Sequence, residues 1–267
     1  MTPFLKPAFL LITLCSFSIT SNNYDAGCNI RNTSFKADEQ IKMKVFYSTL
    51  GMYVGAGEAT FTSTLERYNG KPVYHLVGVG STYSFFDGFF KVRDKYESYV
   101  DTTNLLPYKF IRNIDEGGYK KYNNVTFNHA ANTAVSTNGV YKVTDCIQDV
   151  VSMVYYCRNI NFDKYKVNDK IMFDMFLDDE IFHMYIRYMG KETIKTRYGK
   201  FNAIKIKPLL IKGTIFEGGE KMNAWLSDDP DHVLLRAESP IAVGSIKVDM
   251  MEYKNLRYPL SSLIKTR

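Results

Sequence analysis

The residues best suited by type to do chemistry lie in one stretch, Met222 to Ser239 (MNAWLSDDPDHVLLRAES). It sets Asp228, Asp229, Asp231 and His232 close to Trp225, the single tryptophan of the chain. Acids beside a histidine suit a metal site or an acid–base pair. The local grammar favours a turn instead. Asp229-Pro230-Asp231-His232 has Asp at the first turn position and Pro at the second, which pre-sets a type I turn. Trp225 then sits on the incoming strand, Val233 to Ala237 form the outgoing one, and the acids occupy a solvated tip. A calcium loop would need more oxygen ligands at a defined spacing, such as a closing glutamate. No metal is expected here.

Other chemical signatures are weak. His75, His129, His183 and His232 each stand alone, without the paired spacing of a zinc helix. There is no Gly-x-Ser-x-Gly elbow and no phosphate-binding loop. Gly55-Ala56-Gly57 reads as a bend or bulge in a strand. No catalytic residue and no cofactor are expected, and an enzyme would need distant residues to converge.

Alternation offers a more specific constellation. In KVRDKYESYV (Lys91 to Val100) the less charged face carries Val92, Asp94, Tyr96, Ser98 and Val100. That face should point inward. In Tyr108 to Glu116, Phe110, Arg112 and Ile114 share a face, which turns Arg112 inward too. A buried carboxylate needs a partner, and Arg112 is close in sequence. Asp94 and Arg112 are therefore expected to pair. The pair is either a structural ion pair or, with Tyr96 and Tyr155, the polar anchor of a ligand in an apolar cavity.

The elements that must position these residues are mostly strands. Tyr and Phe are frequent, 20 and 18 of 267 residues, and favour strands. Short alternating runs are joined by the hairpin signals Asn69-Gly70, Gly117-Gly118 and Asn138-Gly139, and by the turn signals Asp178-Asp179 and Gly199-Lys200. Runs at 180–189 and 191–196 read as separate strands. One segment, Asp145 to Arg158 (DCIQDVVSMVYYCR), has apolar residues at helical spacing. Asp145 is expected to cap it, with Gln148 as its partner. The pattern predicts a mainly β fold: a long curved antiparallel sheet, or a barrel-like pair of sheets, with one amphipathic helix packed on it. A single domain over 41–258 is expected, after an extension at 22–40.

The start of the chain reads as an address. A charged start and the apolar run Ala8 to Ile19 have the form of a signal peptide, placed at 1–21. No later run is long enough to cross a bilayer as a helix. The modest net charge of +6 is spread out, so nucleic acid is not an expected partner. Cys28, Cys146 and Cys157 follow the signal. Cys146 and Cys157 would sit three turns apart on one helix, about 16 Å, beyond disulfide reach. Any bridge joins Cys28 to Cys146 or to Cys157, and three free thiols are the alternative.

Four stretches carry a resemblance: GAGEATF; FFDGFFKVRDKYESYVDTTNLLPYKF leading into RNIDEGGY; DCIQDVVSMVYYCR; and WLSDD followed by PIAVGSIKVDMMEY. Together they resemble an uncharacterised exported bacterial family, domain of unknown function thirty-one-oh-eight. The resemblance implies a Gram-negative envelope location and an all-β fold with a helix. It implies no activity and no catalytic residues. The outline is also similar, at the level of fold, to periplasmic lipoprotein carriers, although this chain has only one clear helix. Two readings follow. One is a non-enzymatic periplasmic protein that binds a lipid or glycolipid. The other is a structural module that engages an envelope protein.

Overall fold

The computed structural model describes residues 30–49, 52–213, 217–241 and 243–266. The apolar run read as a signal peptide and Cys28 lie outside them. Strands form where alternation and turn signals place them. The first run is β1 (Glu39–Thr49), β2 (Met52–Tyr68), β3 (Lys71–Thr82), β4 (Val92–Asp101), β5 (Pro107–Glu116), β6 (Tyr119–Asn128), β7 (Thr133–Ser136) and β8 (Gly139–Lys142). The second is β9 (Lys170–Leu177), β10 (Glu180–Lys195), β11 (Gly199–Pro208), β12 (Asn223–Ser227), β13 (Leu234–Pro240), β14 (Ser245–Lys254) and β15 (Leu263–Thr266). Among the described residues two α-helices interrupt them, α1 (Ser84–Asp87) and α2 (Val150–Arg158), the second followed by a 3-10 turn at Phe162–Lys164.

One antiparallel sheet holds all the strands, in the order β8-β7-β6-β5-β4-β3-β2-β1-β14-β13-β12-β11-β10-β9, with β15 added to β11. It is two meanders joined where β1 meets β14. So many strands cannot stay flat, because each is rotated against the next. The sheet curls but its ladder does not close, and β8 and β9 remain at its two ends.

The ends meet through side chains instead. Asp178 and Asp179, at the β9–β10 turn, both have positive φ, as that tight turn demands. Asp178 pairs with Arg112 of β5 and with Lys121 of β6, the latter at 2.5 Å. Asp179 accepts a hydrogen bond from Asn138 Nδ2 at 2.6 Å. Phe176 meets the rings of Phe127 and Tyr141 at 6.1 and 5.7 Å.

Several expectations need correction. The helix starts at Val150, and its cap is Asp149. Asp149 Oδ1 accepts from the backbone N–H of Val151 and Ser152 at 2.8 Å each, and the Asp149 N–H donates to Ser152 Oγ at 2.8 Å. This reciprocal box displaces the expected one at Asp145. Cys146 has φ +62, outside helical space. Gln148 pairs with β9: its N–H donates to the Asp174 carbonyl, and its own carbonyl accepts from the Phe176 N–H, both at 2.9 Å. Pairing along a free strand edge outweighed helical propensity, which is only a weak prior. Cys146 and Cys157 therefore do not share a helix. Cys146 is disulfide-bonded, and Cys157 is a free, buried thiol.

β10 is one strand, not two. Gly190, at φ +96, sits in a register shift between Tyr188 and Lys191, a bulge rather than a break. The segment read as an extension is part of the core from Ser34 onward. Phe35 packs edge-on to Tyr74 and Tyr155, with ring centres 5.0 and 4.8 Å apart. β15 lies beyond the expected domain end at 258.

The helix α2 sits inside the curl. Val151 and Tyr155 join a cluster with Phe110, Phe127 and Phe176. Tyr156 and Cys157, on another flank, join Phe173, Met184 and Ile186. A helix apolar on several sides belongs in a core, and here it fills the curl at one level.

Candidate functional site

Cross-strand partners share a face of the sheet, so the register shows what lines the inside of the curl. Glu39, Ser63, Leu76, Ser98 and Phe110 form one row across β1 to β5. All five are buried. This is the floor, and α2 sits on it: Ser98 Oγ donates to Asp149 Oδ2 at 2.5 Å, and Arg158 pairs with Glu39.

The next row holds Ile41, Phe61, Gly78, Tyr96 and Arg112. The one after it holds Met43, Ala59, Gly80, Asp94 and Ile114. Here the interior opens. Phe61, Tyr96, Ala59, Gly80 and Asp94 are only half-buried. The Phe61 ring lies against Gly78, 3.3 Å from where a Cβ would stand. At Gly80 a Cβ would meet nothing within 4 Å among the described residues. Above the closed floor the inward face is therefore open at Gly80, a hollow bordered by half-buried Ala59, Phe61, Tyr96 and Asp94, while Ile41, Met43 and Ile114 in the same rows are buried.

Polar groups border this hollow. Arg112 points inward and is buried, as the alternation indicates. Its Nε and Nη2 donate to Asn123 Oδ1 at 3.0 and 2.6 Å, and Nη2 also donates to Asp178. Asp94 shares the inward face but does not pair with Arg112; that expectation is corrected. Asp94 stands opposite Ile114, and Arg112 opposite Tyr96, so the two are diagonal neighbours. The longer side chain is held by the β9–β10 turn, a partner that local sequence could not supply. Asp94 instead accepts from the Asp115 N–H at 3.2 Å. Burial and the nearby Glu116 carboxylate push its pKa up to about 7. Burial, and next the charge of Asp94, push the Tyr96 phenol up as well.

Tyr155 does not border the hollow. It is enclosed in the core, where its hydroxyl lies 3.4 Å from the Thr62 carbonyl. Its role as a ligand contact is corrected to a packing role.

The Asp229–His232 stretch is a turn, closed by the His232 N–H on the Asp229 carbonyl at 3.2 Å. It is not a solvated tip. Asp229 and Asp231 are buried. Asp229 Oδ1 accepts from Ser227 Oγ at 2.7 Å and from the Asp231 N–H at 3.2 Å, and Oδ2 accepts from the Ser262 N–H at 3.2 Å. The Tyr258 N–H donates to the Asp231 carboxylate, and burial raises that carboxyl to about 6. Burial lowers the pKa of His232, whose Nδ1–H donates to the Arg158 carbonyl at 2.7 Å. The chain after β14 covers this turn, a contact invisible to a local reading.

A cleft of about 410 Å³ lies beside the turn, lined in part by Asn159, Asp163, Lys191, Asp228 and His232. Its polar groups are matched to one another. Lys191 Nζ bridges Asp163 and Asp228 at 3.0 Å each, and Asn159 Oδ1 accepts from the Thr33 N–H at 2.6 Å. Among the described residues no cluster of three or more His, Cys, Asp or Glu could hold a metal.

The hollow was therefore only half legible. Asp94, Tyr96 and Arg112 follow from alternation. Gly78 and Gly80 do not, although two glycines on one face inside a strand signal a close backbone approach.

Comparison with known proteins bears on this architecture. A family model described as Protein of unknown function (DUF3108) matches residues 40–251. No curated protein matches the chain. Among solved structures, the beta-barrel-like protein of domain of unknown function DUF1849 from Brucella abortus is similar, with a TM-score of 0.55 and 6% identity, over 85% of this chain and 99% of that one. That likeness supports the fold alone. A candidate lipoprotein from Parabacteroides distasonis gives a TM-score of 0.37 at 15% identity, over 84% of this chain and 100% of that one. A candidate exported protein with a YmcC-like fold from Bacteroides fragilis gives 0.34 at 10% identity, over 84% and 99%.

Proposed function

On the premise that the chain belongs to the family described as Protein of unknown function (DUF3108), we propose a non-enzymatic, exported protein of the Gram-negative envelope that binds an amphipathic ligand. The ligand class is a lipid or glycolipid. Its apolar part lies along Phe61, Gly78 and Gly80 on the β2–β3 side of the hollow, and its head group faces Asp94, Tyr96 and Arg112 on the β4–β5 side.

The observation that carries this reading is the open space at Gly80, between half-buried Ala59, Phe61 and Tyr96. Glycine weakens a strand interior and is tolerated where something approaches the backbone closely. An apolar wall with a few fixed polar groups is the usual composition of a ligand pocket. The reading is non-enzymatic because Arg112 and Asp94 are each already engaged by a separate partner. The Arg112 charge is met by Asp178, and Asp94 rests on a backbone N–H beside Glu116.

The test is native mass spectrometry of protein purified from its own envelope. A co-purifying lipid that is lost in Gly80→Leu, with folding retained, supports the reading. A stoichiometric protein partner without lipid overturns it in favour of an interaction module.

A further inference from the structure

The open end of the curl carries an apolar rim. Exposed phenylalanines occur here and nowhere else among the described residues. Phe85 and Phe89 are 72% and 77% exposed, and Phe90 is also exposed. They surround α1, which buries none of its residues. Contacts tie this segment to neighbouring turns. Phe90 covers Gly117 of the β5–β6 turn so closely that no Cβ would fit. Phe86 meets Tyr47 of β1 at 6.4 Å between ring centres. The β13–β14 turn rests against Tyr47 at Gly244. Met52, Tyr53 and Val54 on β2 and Val243 on that turn are exposed at the same end of the sheet.

Large apolar side chains exposed together at one end of a domain mark an interaction surface. The shape narrows the choice of occupant. The side chains stand on the tips of separate turns, not on a flat face or in a groove. A fluid acyl layer accepts separated prongs; a rigid protein partner would need a matching hole for each. Lys44 and Lys247 stand behind the tips, over the rings of Tyr83 and Tyr53 at 5.8 and 4.2 Å, and Lys91, just before β4, is exposed. Tyrosine rings with lysines over them suit the head-group level of a membrane interface. Acids temper the belt: Asp87 pairs with Arg93 at 2.6 Å, Glu238 lies 3.8 Å from Lys247, and Glu58 is exposed. Apolar burial therefore supplies most of the attraction.

The rim also frames the mouth of the hollow. Beyond the Gly80 row, Thr82 and Glu116 continue the inward face, and Thr82 Oγ1 donates to Asp87 of α1 at 2.6 Å.

We propose that this rim docks on a phospholipid bilayer, with Phe85, Phe89, Phe90, Met52 and Val243 entering the outer acyl region. Docking sets the mouth of the hollow against the membrane, so an amphipathic ligand passes between them without crossing water. The choice of a bilayer as occupant rests in part on the ligand reading above.

Flotation of the processed protein with vesicles tests it. With phosphatidylcholine vesicles the protein should float, and phosphatidylglycerol should add little. The double variant Phe85→Ser, Phe89→Ser should lower partitioning by about tenfold or more, since two large apolar side chains no longer leave water. Its thermal unfolding should match the wild type, because neither ring is buried. Wild-type protein that stays with the vesicle-free fraction overturns the proposal, as does a double variant that floats equally well. A double variant that instead loses a protein partner, with vesicle binding unchanged, also overturns it. The two readings separate cleanly. Co-purifying lipid without flotation removes only the docking surface, and flotation without co-purifying lipid removes only the bound ligand.

Discussion

Arg158, the last residue of α2, and Glu39, the first of β1, form an enclosed two-point pair, Nη1 to Oε1 at 2.5 Å and Nη2 to Oε2 at 3.0 Å. They are 119 residues apart in sequence. Arg158 also donates from Nε to the Asp231 carbonyl at 3.0 Å and from Nη2 to the Ser34 carbonyl at 3.2 Å. Its guanidinium lies over the rings of Phe35 and Tyr155. One side chain thus ties together α2, β1, the 30–38 segment and the β12–β13 turn.

Removing either partner leaves a buried charge without its counter-ion. Glu39→Gln or Arg158→Met should each cost about 3–5 kcal/mol in urea unfolding. The double variant should cost clearly less than the sum, because paired residues couple. Simple additivity would show that the pair is solvated.

Asp229 is predicted to matter for stability, not for metal. Asp229→Ala leaves the Ser227 hydroxyl and the Asp231 and Ser262 N–H groups without their acceptor. A loss of about 1–3 kcal/mol is expected for such a buried defect. A change below about 0.5 kcal/mol, the range of ordinary surface sites, would restore the solvated-tip reading.

The seam of the curl can be examined by double-mutant cycles. Arg112→Ala and Asp178→Ala should couple, by about 0.5–3 kcal/mol. Arg112→Ala and Asp94→Ala should be nearly additive. If the second pair couples more strongly than the first, the β9–β10 turn does not reach β5.

The pH dependence at Asp94 has a definite sign. Its carboxyl titrates at about 7 in the fold, above the roughly 3.9 of an unfolded chain. The protonated form is therefore the better accommodated one. Its stabilising contribution is fully present below about pH 4 and is lost as pH rises through about 7. Asp94→Asn, which mimics the protonated form, should lose this slope. Unfolding curves of the two proteins across that window should diverge as pH rises. Parallel curves would place Asp94 in solvent.

Alternation in β4 and β5 was enough to turn Asp94, Tyr96 and Arg112 inward, because side chains on a strand have a period of two and one face is apolar. It could not name their partners. Arg112 is held by Asp178, which arrives from the other end of the sheet.

The helix shows the same division. The spacing of Val150, Val151, Val154 and Tyr155 marks a helix in any context. Where it begins depends on β9, whose free edge draws Gln148 into a bridge and leaves Asp149 to cap. Asp145 looks just as suitable on paper.

What the sequence determined by itself was local: strand runs, hairpin turns, one helix and the face each residue takes. These follow from backbone geometry and nearest-neighbour chemistry, with effects confined to a few residues. The tertiary structure alone decided the rest. It buried the Asp229–His232 turn under the chain that follows β14. It enclosed Tyr155 in the core and left Gly80 open. Those outcomes come from contacts between distant segments, and no local pattern encodes which distant surface will arrive.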